Sequence, residues 1–339
     1  RTGGDPRQGV ERALAAQALL PQLRYPSTVL EMRALMDLAE SYSQAHDFPH
    51  AVETFEHAYA SLVALGRENT ETAGTLFNNW ALALHLMGQP LKAEELYGRA
   101  VRISSADGTD RHVSPMLHTN LARTLLQLGR PVEAAHYADL AYARARDAGD
   151  EIVKMHSLLV RERIYHMVGE YARAGRVLTE LETVLPRMLA PGAPGFSTPP
   201  MDRAELELAR GDAKAATVAA DRAIAIAETA VPYDLALPYV LVQRAELNLN
   251  LNRPEEAKAD ATRAISMYQR MVSPGSQSCF LGLAYLALGR AHLGGGQSDE
   301  AARAFASALE QLRPTLGPDH PRTREAERLA STGVANRTR

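Results

Sequence analysis

Alanine returns at one register seven times along this chain. Ala51, Ala93, Ala134, Ala174, Ala216, Ala257 and Ala301 are separated by 42, 41, 40, 42, 41 and 44 residues. Each opens a stretch that continues at helical spacing, as in Phe55 and Ala58, Tyr97 and Ala100, or Ala138 and Ala141. Each follows an apolar segment and a short turn that often holds Gly or Pro, as in Gly88-Gln89-Pro90 and Gly129-Arg130-Pro131. A unit of this size cannot bury its apolar face alone. Copies must stack on one another, and the core grows along one axis.

The spacing within a unit predicts two antiparallel helices. Steps of three and four place Leu, Tyr and Phe on one stripe of each helix, with small residues where the two cross closely. Gly supplies the left-handed conformation that ends the first helix. Pro just beyond suits the first turn of the second. The 339 residues exceed one ordinary core of roughly 100–200 residues, which a stacked array resolves without a second domain. Apolar residues make up 46% of the chain but aromatics only 6%, which favours closely packed helices over a sheet sandwich.

These units resemble the tetratricopeptide repeat family, whose pattern of Leu-Ala/Gly, Tyr, Gly, Ala, Phe/Tyr and Ala is met by Leu38-Ala39, Tyr42, Ala51, Phe55 and Ala58, and again by Leu121-Ala122, Gly129, Ala134 and Ala138. The commonest period in the family is about 34 residues. The longer period here, with "TLFNNWALAL" and "LGPDHPRTREAERLA", is similar to the kinesin-light-chain variety also found in bacterial regulatory proteins. The resemblance spans roughly 28–331. It implies an all-α, right-handed α-solenoid of about seven helix-turn-helix repeats with a C-terminal capping helix. Three arginines depart from the pattern: Arg161, Arg203 and Arg244 stand where an apolar residue is usual.

The expected organisation is a partial helix or truncated repeat over 1–27, repeats 1–4 over 28–186, a Pro/Gly-rich loop over 187–200, repeats 5–7 plus a capping helix over 201–331, and a disordered tail over 332–339. The loop, "RMLAPGAPGFSTPP", carries four prolines and two glycines and should not form regular helix. The chain reads as a processed piece of something longer, cytoplasmic, with no apolar run of 18 residues to span a membrane.

Chemistry-bearing motifs are missing. There is no phosphate-binding loop, no nucleophile elbow and no Cys/His spacing suited to zinc. The one cysteine, Cys279, excludes an intrachain disulfide. A formal charge of −3 gives no reason to expect nucleic acid or an anionic membrane as partner. The reading is therefore a non-enzyme without metal or cofactor.

The resemblance also implies where a ligand would lie. In the family the first helix of each unit lines the concave side. The corresponding positions here are Asn78, Asn79, His85, Asn120, Arg123, Gln127, Arg163 and His166. The asparagines are similar to amide clamps that hold a peptide backbone, since an amide both donates and accepts. Arg123 and Arg163 would select carboxylates on an acidic peptide. The expected function is a protein–protein interaction scaffold or sensor that binds a peptide or partner segment in the groove. The alternatives are the regulatory region of a larger signalling protein, such as a bacterial serine/threonine kinase, and a self-associating module that forms a homo-oligomer.

Overall fold

The computed structural model describes residues 6–22, 27–189, 193–229, 236–272 and 275–335. Among these there are sixteen α-helices and no strand. The leading helix α1 (Pro6–Leu19) is followed by seven pairs. They are α2 (Thr28–Gln44) with α3 (Phe48–Ala64), α4 (Glu71–Leu86) with α5 (Pro90–Ser104), and α6 (Pro115–Gln127) with α7 (Pro131–Ala148). Next come α8 (Glu151–Met167) with α9 (Tyr171–Met188), α10 (Thr198–Ala209) with α11 (Ala213–Glu228), and α12 (Ala236–Asn250) with α13 (Pro254–Met271). The last pair is α14 (Cys279–Gly294) with α15 (Ser298–Leu316), and α16 (Pro321–Ala335) covers its end. Each helix packs on its neighbours in the chain, with the closest association inside the pairs. The fold is an all-α solenoid.

The recurring alanines are the crossing points. All seven are buried, from Ala51 to Ala301. Counting back twelve residues from each reaches the small residue of the first helix: Ala39, Ala81, Ala122, Ala204, Ala245 and Gly289. These are buried too. At Gly289 an added Cβ would lie 2.4 Å from the Phe305 ring. Repeat 4 breaks this column. There Glu162 occupies the small-residue position and is 1% exposed.

The turn inside each pair is left-handed. Five repeats use Gly, and His46 (φ 60°) and Asn252 (φ 56°) take the same conformation in repeats 1 and 6. Asn and His are among the residues that tolerate it best.

The three arginines in the leucine column are accommodated by acids on the preceding second helix. Arg161 meets Asp139 at 2.8 Å, Arg203 meets Glu182 at 3.1 Å, and Arg244 meets Asp221 at 3.0 Å. Arg244 also reaches Asp260 on the following helix at 2.7 Å. Their aliphatic stems fill the leucine volume while the guanidinium is paired, so the stack continues through residues 201–210.

Helix extends further around 187–200 than the composition suggests. Arg187 and Met188 finish α9, and Thr198–Pro200 begin α10. Pro199 and Pro200 fit because the first turn of a helix has no N–H to lose. A 3-10 turn, Pro194–Ser197, lies between; residues 190–192 are outside the described residues. At the other end α16 runs to Ala335 rather than stopping at 331, and 336–339 lie outside the described residues.

Alternate helices also meet, and the repeated contacts are between first helices: α2 with α4, α4 with α6, α6 with α8, α10 with α12, and α12 with α14. This layer has the shorter spacing and is therefore the concave one. The spiral then closes on itself. The turn of repeat 2 meets the start of α14, where the Cys279 N–H donates to the Gly88 carbonyl at 2.8 Å. The Gln89 amide donates to the Gln277 carbonyl at 3.3 Å. The turn of repeat 3 meets the start of α16, with His320 and Pro321 close against Gly129. Both contacts join repeat n to the first helix five units later.

Candidate binding groove

One residue after the small position, each first helix projects a side chain along the concave face. From repeat 2 onward this column reads Leu82, Arg123, Arg163, Glu205, Glu246 and Arg290. Its second half neutralises itself. Arg163 donates to Asp202 at 3.1 Å, lies 5.0 Å from the Tyr239 ring centroid and feels Glu205. Glu246 is hydrogen-bonded by Arg290, and Arg322 of α16 lies 3.6 Å from it. Glu325 pairs with Arg322 at 3.0 Å and with Arg290 at 3.6 Å. The sequence could not reveal that Arg163 has a carboxylate of its own, so its expected role in selecting a ligand carboxylate is taken up within the protein. His166, on the next turn of α8, meets Glu205 at 3.4 Å, and burial lowers its pKa.

Arg123 is different. It is half-buried on α6 and has no ion pair or hydrogen bond among the described residues. Its column neighbours are Leu82, which is apolar, and Arg163, which is already paired. Burial pulls its guanidinium below the usual arginine range. The groups around it are neutral. His85 is pushed down to about 3, by burial first and then by the Arg123 charge, and His156 down to about 4 for the same reasons. Tyr97 is fully buried, within electrostatic reach of Arg123, and its hydroxyl has no partner among the described residues.

The amides expected to clamp a ligand touch each other instead of standing apart. The Asn78 amide donates to the Asn79 Oδ1 at 2.9 Å, and the Asn120 amide donates to the Asn78 Oδ1 at 3.4 Å. Asn120 is 4% exposed. His85 shares a 3.0 Å hydrogen bond with Thr124, so α4 and α6 are joined along the groove floor. Gln127 points out of the groove toward the closure. Its amide donates to the Cys279 Sγ at 3.1 Å, while its Oε1 is buried without a donor.

Beyond the expected residues, the structure adds Glu162 and Asp202 across the α8–α10 joint. Each has one buried carboxylate oxygen without a partner. Burial raises both acids, Glu162 to about 9 and Asp202 to about 6; Asp202's charge adds to the shift of Glu162, while Arg163 opposes the shift of Asp202. The signal for Glu162 was present in the sequence, as the one large residue in the small-residue column. Asp202, Tyr97 and His156 carried no such mark.

Among the described residues no three His, Cys, Asp or Glu side chains gather as a metal site. Among the same residues no helix is long and apolar enough to cross a membrane. The Cys279 thiol is fully buried, which pushes its pKa up and keeps it protonated.

Residues 72–147, which are repeats 2 and 3, match a tetratricopeptide repeat family model. No curated protein matches the chain by sequence. Several solved structures share its fold. NprR in complex with its cognate peptide NprX aligns at a TM-score of 0.63 and 12% identity, over 99% of this chain and 100% of that one. A tetratricopeptide repeat protein from Parabacteroides merdae aligns at 0.52 and 16%, over 89% and 98%. A STAND signal-transduction ATPase with a tetratricopeptide repeat sensor, from Pyrococcus horikoshii, aligns at 0.56 and 12%, over 98% of this chain and 54% of that one. The family match falls on two central repeats, and the same helix pair continues on both sides of them: residues 72–147 are tetratricopeptide repeats, and the chain shares the fold of tetratricopeptide repeat proteins.

Proposed function

We propose that this chain is a protein-interaction module that holds an acidic peptide or partner segment in its concave groove, with a carboxylate of that segment on Arg123. The carrying observation is that Arg123 is a partly desolvated arginine with no acid among the described residues, in a column whose other arginines all have one. A buried cation without a counter-charge is costly. A carboxylate arriving in the groove would remove that cost and make charge-assisted hydrogen bonds. The unpartnered Tyr97 hydroxyl could supply a further donor. Asn78 and Asn79, half-buried on α4 one turn before Leu82, would offer their remaining amide hydrogens to the segment's backbone. NprR, which shares the fold, was solved with a peptide bound, and this supports a peptide as the class of ligand.

A second reading concerns the parent protein. The STAND ATPase uses a tetratricopeptide repeat region as its sensor, and this chain spans about half of that one. The groove would then be the sensing part of a larger signalling protein. The ligand chemistry is the same in both readings.

The test uses a library of fluorescein-labelled octapeptides, with free and with amidated C-termini, read by anisotropy. Retained peptides should share an Asp, a Glu or a free C-terminus. Arg123→Gln should weaken them by about 10–100-fold, the loss of one hydrogen bond to a charged group of about 1.5–3 kcal/mol. The helical circular dichroism should not change. Peptides retained without any acidic preference, or bound equally by the variant, would refute the proposal.

A further inference from the structure

The closure between distant repeats is built differently from the rest of the spiral. Consecutive helices pack along their lengths, whereas the closure uses turns, helix starts and a small contact between α5 and α15. Its polar part is the Cys279 N–H to the Gly88 carbonyl, Gln89 to the Gln277 carbonyl, and Gln127 to the Cys279 Sγ. Its apolar part includes Leu128, the residue before the repeat-3 turn glycine, which packs with Cys279, Leu286 and Phe305.

The repeat register supplies an internal control. The residue equivalent to Leu128 in repeat 4 is Val168, one residue before Gly169, and it is 47% exposed against 8% for Leu128. The turn does not bury this position; the closure does. The turn glycines divide in the same way. A Cβ on Gly88 would lie 2.4 Å from the Ser278 Oγ and 3.0 Å from the Cys279 N, and on Gly129 it would lie 3.3 Å from His320. A Cβ on Gly169, Gly211 or Gly296 would meet nothing within 4 Å.

The closed arrangement is also poorly satisfied. Gln127 gives its donor to a thiol sulfur, a weak acceptor, and leaves its Oε1 buried without a donor. Gln127 lies one helical turn after Arg123 on α6, so one short helix carries both the groove cation and the closure.

We propose that this contact is a latch. It opens reversibly as a unit, separating repeats 2 and 3 from repeat 7 and α16, and the opening admits a segment to the groove. The purpose of the opening rests on the groove reading above; its existence does not. Once the latch releases Gln127 from Cys279, its side chain would be free to turn to the groove, where a backbone N–H of the segment would supply the donor its Oε1 lacks, so an occupied groove would favour the open form.

Cys279 is the natural reporter, because it is the chain's one cysteine and lies under the latch, fully buried. The experiment follows its labelling by an aromatic disulfide under native conditions, without ligand, beside circular dichroism and small-angle scattering. Wild-type protein should label faster than global unfolding permits, with a weaker denaturant dependence than unfolding shows. Leu128→Asn and Gly88→Ala should speed labelling at least tenfold and enlarge the radius of gyration, with helix content retained. Val168→Asn and Gly169→Ala, which change the same turn positions away from the latch, should label as wild type does. If Gly88→Ala fails to fold, the Leu128 and Val168 pair decides alone. Labelling that tracks global unfolding, or Leu128→Asn labelling no faster than Val168→Asn, would overturn the latch. Neither outcome touches the peptide measurement on Arg123.

Discussion

Glu162 stands where every other repeat has Ala or Gly, and replacing it with Gln should stabilise the protein in alkaline solution but not in mild acid. The carboxyl is 1% exposed, and burial, reinforced by Asp202, pushes its pKa up to about 9 from 4.5. Arg163 and Arg203 oppose that shift without reversing it. A carboxyl whose folded pKa lies above its unfolded one favours the fold in its protonated form. Its contribution is complete below about 4.5, is lost as pH rises toward about 9, and is constant beyond. One extra proton in the folded state costs about 1.4 kcal/mol per pH unit. From pH 5.5 to 8.5 the full loss would be about 4 kcal/mol, and sharing of charge with Asp202, Arg163 and Glu205 reduces this to roughly 2–4 kcal/mol.

Gln has the shape of the protonated acid and no proton to lose. Glu162→Gln should match wild type within about 1 kcal/mol at pH 5.5 and exceed it by roughly 2–4 kcal/mol at pH 8.5. If all 339 residues unfold together, that is about 3–6 °C in Tm, at roughly 2.1 cal/mol/K per residue. If the solenoid unfolds in parts, the shift concentrates in the transition containing repeats 4 and 5. The readout is thermal circular dichroism of both proteins at pH 5.5, 7.0 and 8.5, compared as a difference. The difference is needed because other groups titrate the opposite way. His85, His118 and His156 are held neutral, at about 3, 4 and 4, so stability present above about 6.5 is lost as pH falls in both proteins alike. A variant that follows wild type in parallel at all three values would refute the assignment of a protonated Glu162.

Two further outcomes test the register. Ala134→Leu places a large side chain at a fully buried crossing and should cost about 1–3 kcal/mol; unchanged stability in urea would remove the crossing assignment. Gly289→Ala puts a Cβ within 2.4 Å of the Phe305 ring and should cost a similar 1–3 kcal/mol. Adding Phe305→Leu should restore part of that loss, whereas additive losses would show that the two residues do not meet.

The pairing of helices was legible because it rests on spacing. Small residues at fixed intervals force close crossings, and Gly or Asn at the turn follows from backbone sterics. The three arginines in the leucine column were harder to place, since their acids lie on the preceding second helix at offsets that vary. Asp139 and Asp221 each fall five residues after the alanine that opens their helix, but Glu182 falls eight residues after its own. Arg123 and Arg163 illustrate the limit for the groove. They occupy the same column one repeat apart and look alike in sequence. Whether each is free depends on the residues that the next repeat presents. Arg163 meets Asp202, while the joint around Arg123 holds a hydrogen-bonded pair of hydroxyls, Thr119 and Ser157, and the neutral His156. The closure had no signature, because Gly88 and Cys279 are far apart in the chain and the turn glycine would be glycine in any case.

These observations belong to one energetic arrangement. From repeat 4 to α16 each arginine of the concave column is held by an acid, Glu246 is held by Arg290, and Glu205 lies beside His166 within reach of the Arg163 and Arg322 charges. Such a lattice stiffens the second half of the spiral. It offers little to an incoming charge, which would have to displace a partner already in place. Around repeat 3 the lattice stops. Arg123 has lost water without gaining an acid, Tyr97 has a buried hydroxyl without a partner, and Gln127 satisfies only half of its amide. Each is a cost that a folded chain would be rid of by a single substitution, such as Leu at position 123. Costs of this kind gather where a protein has something to bind. All three lie on or against α6, the helix that also ends at the closure. A ligand that relieved the Arg123 charge and supplied a donor to Gln127 would act on the groove and the latch through the same three turns of helix. No longer route between the two sites is required.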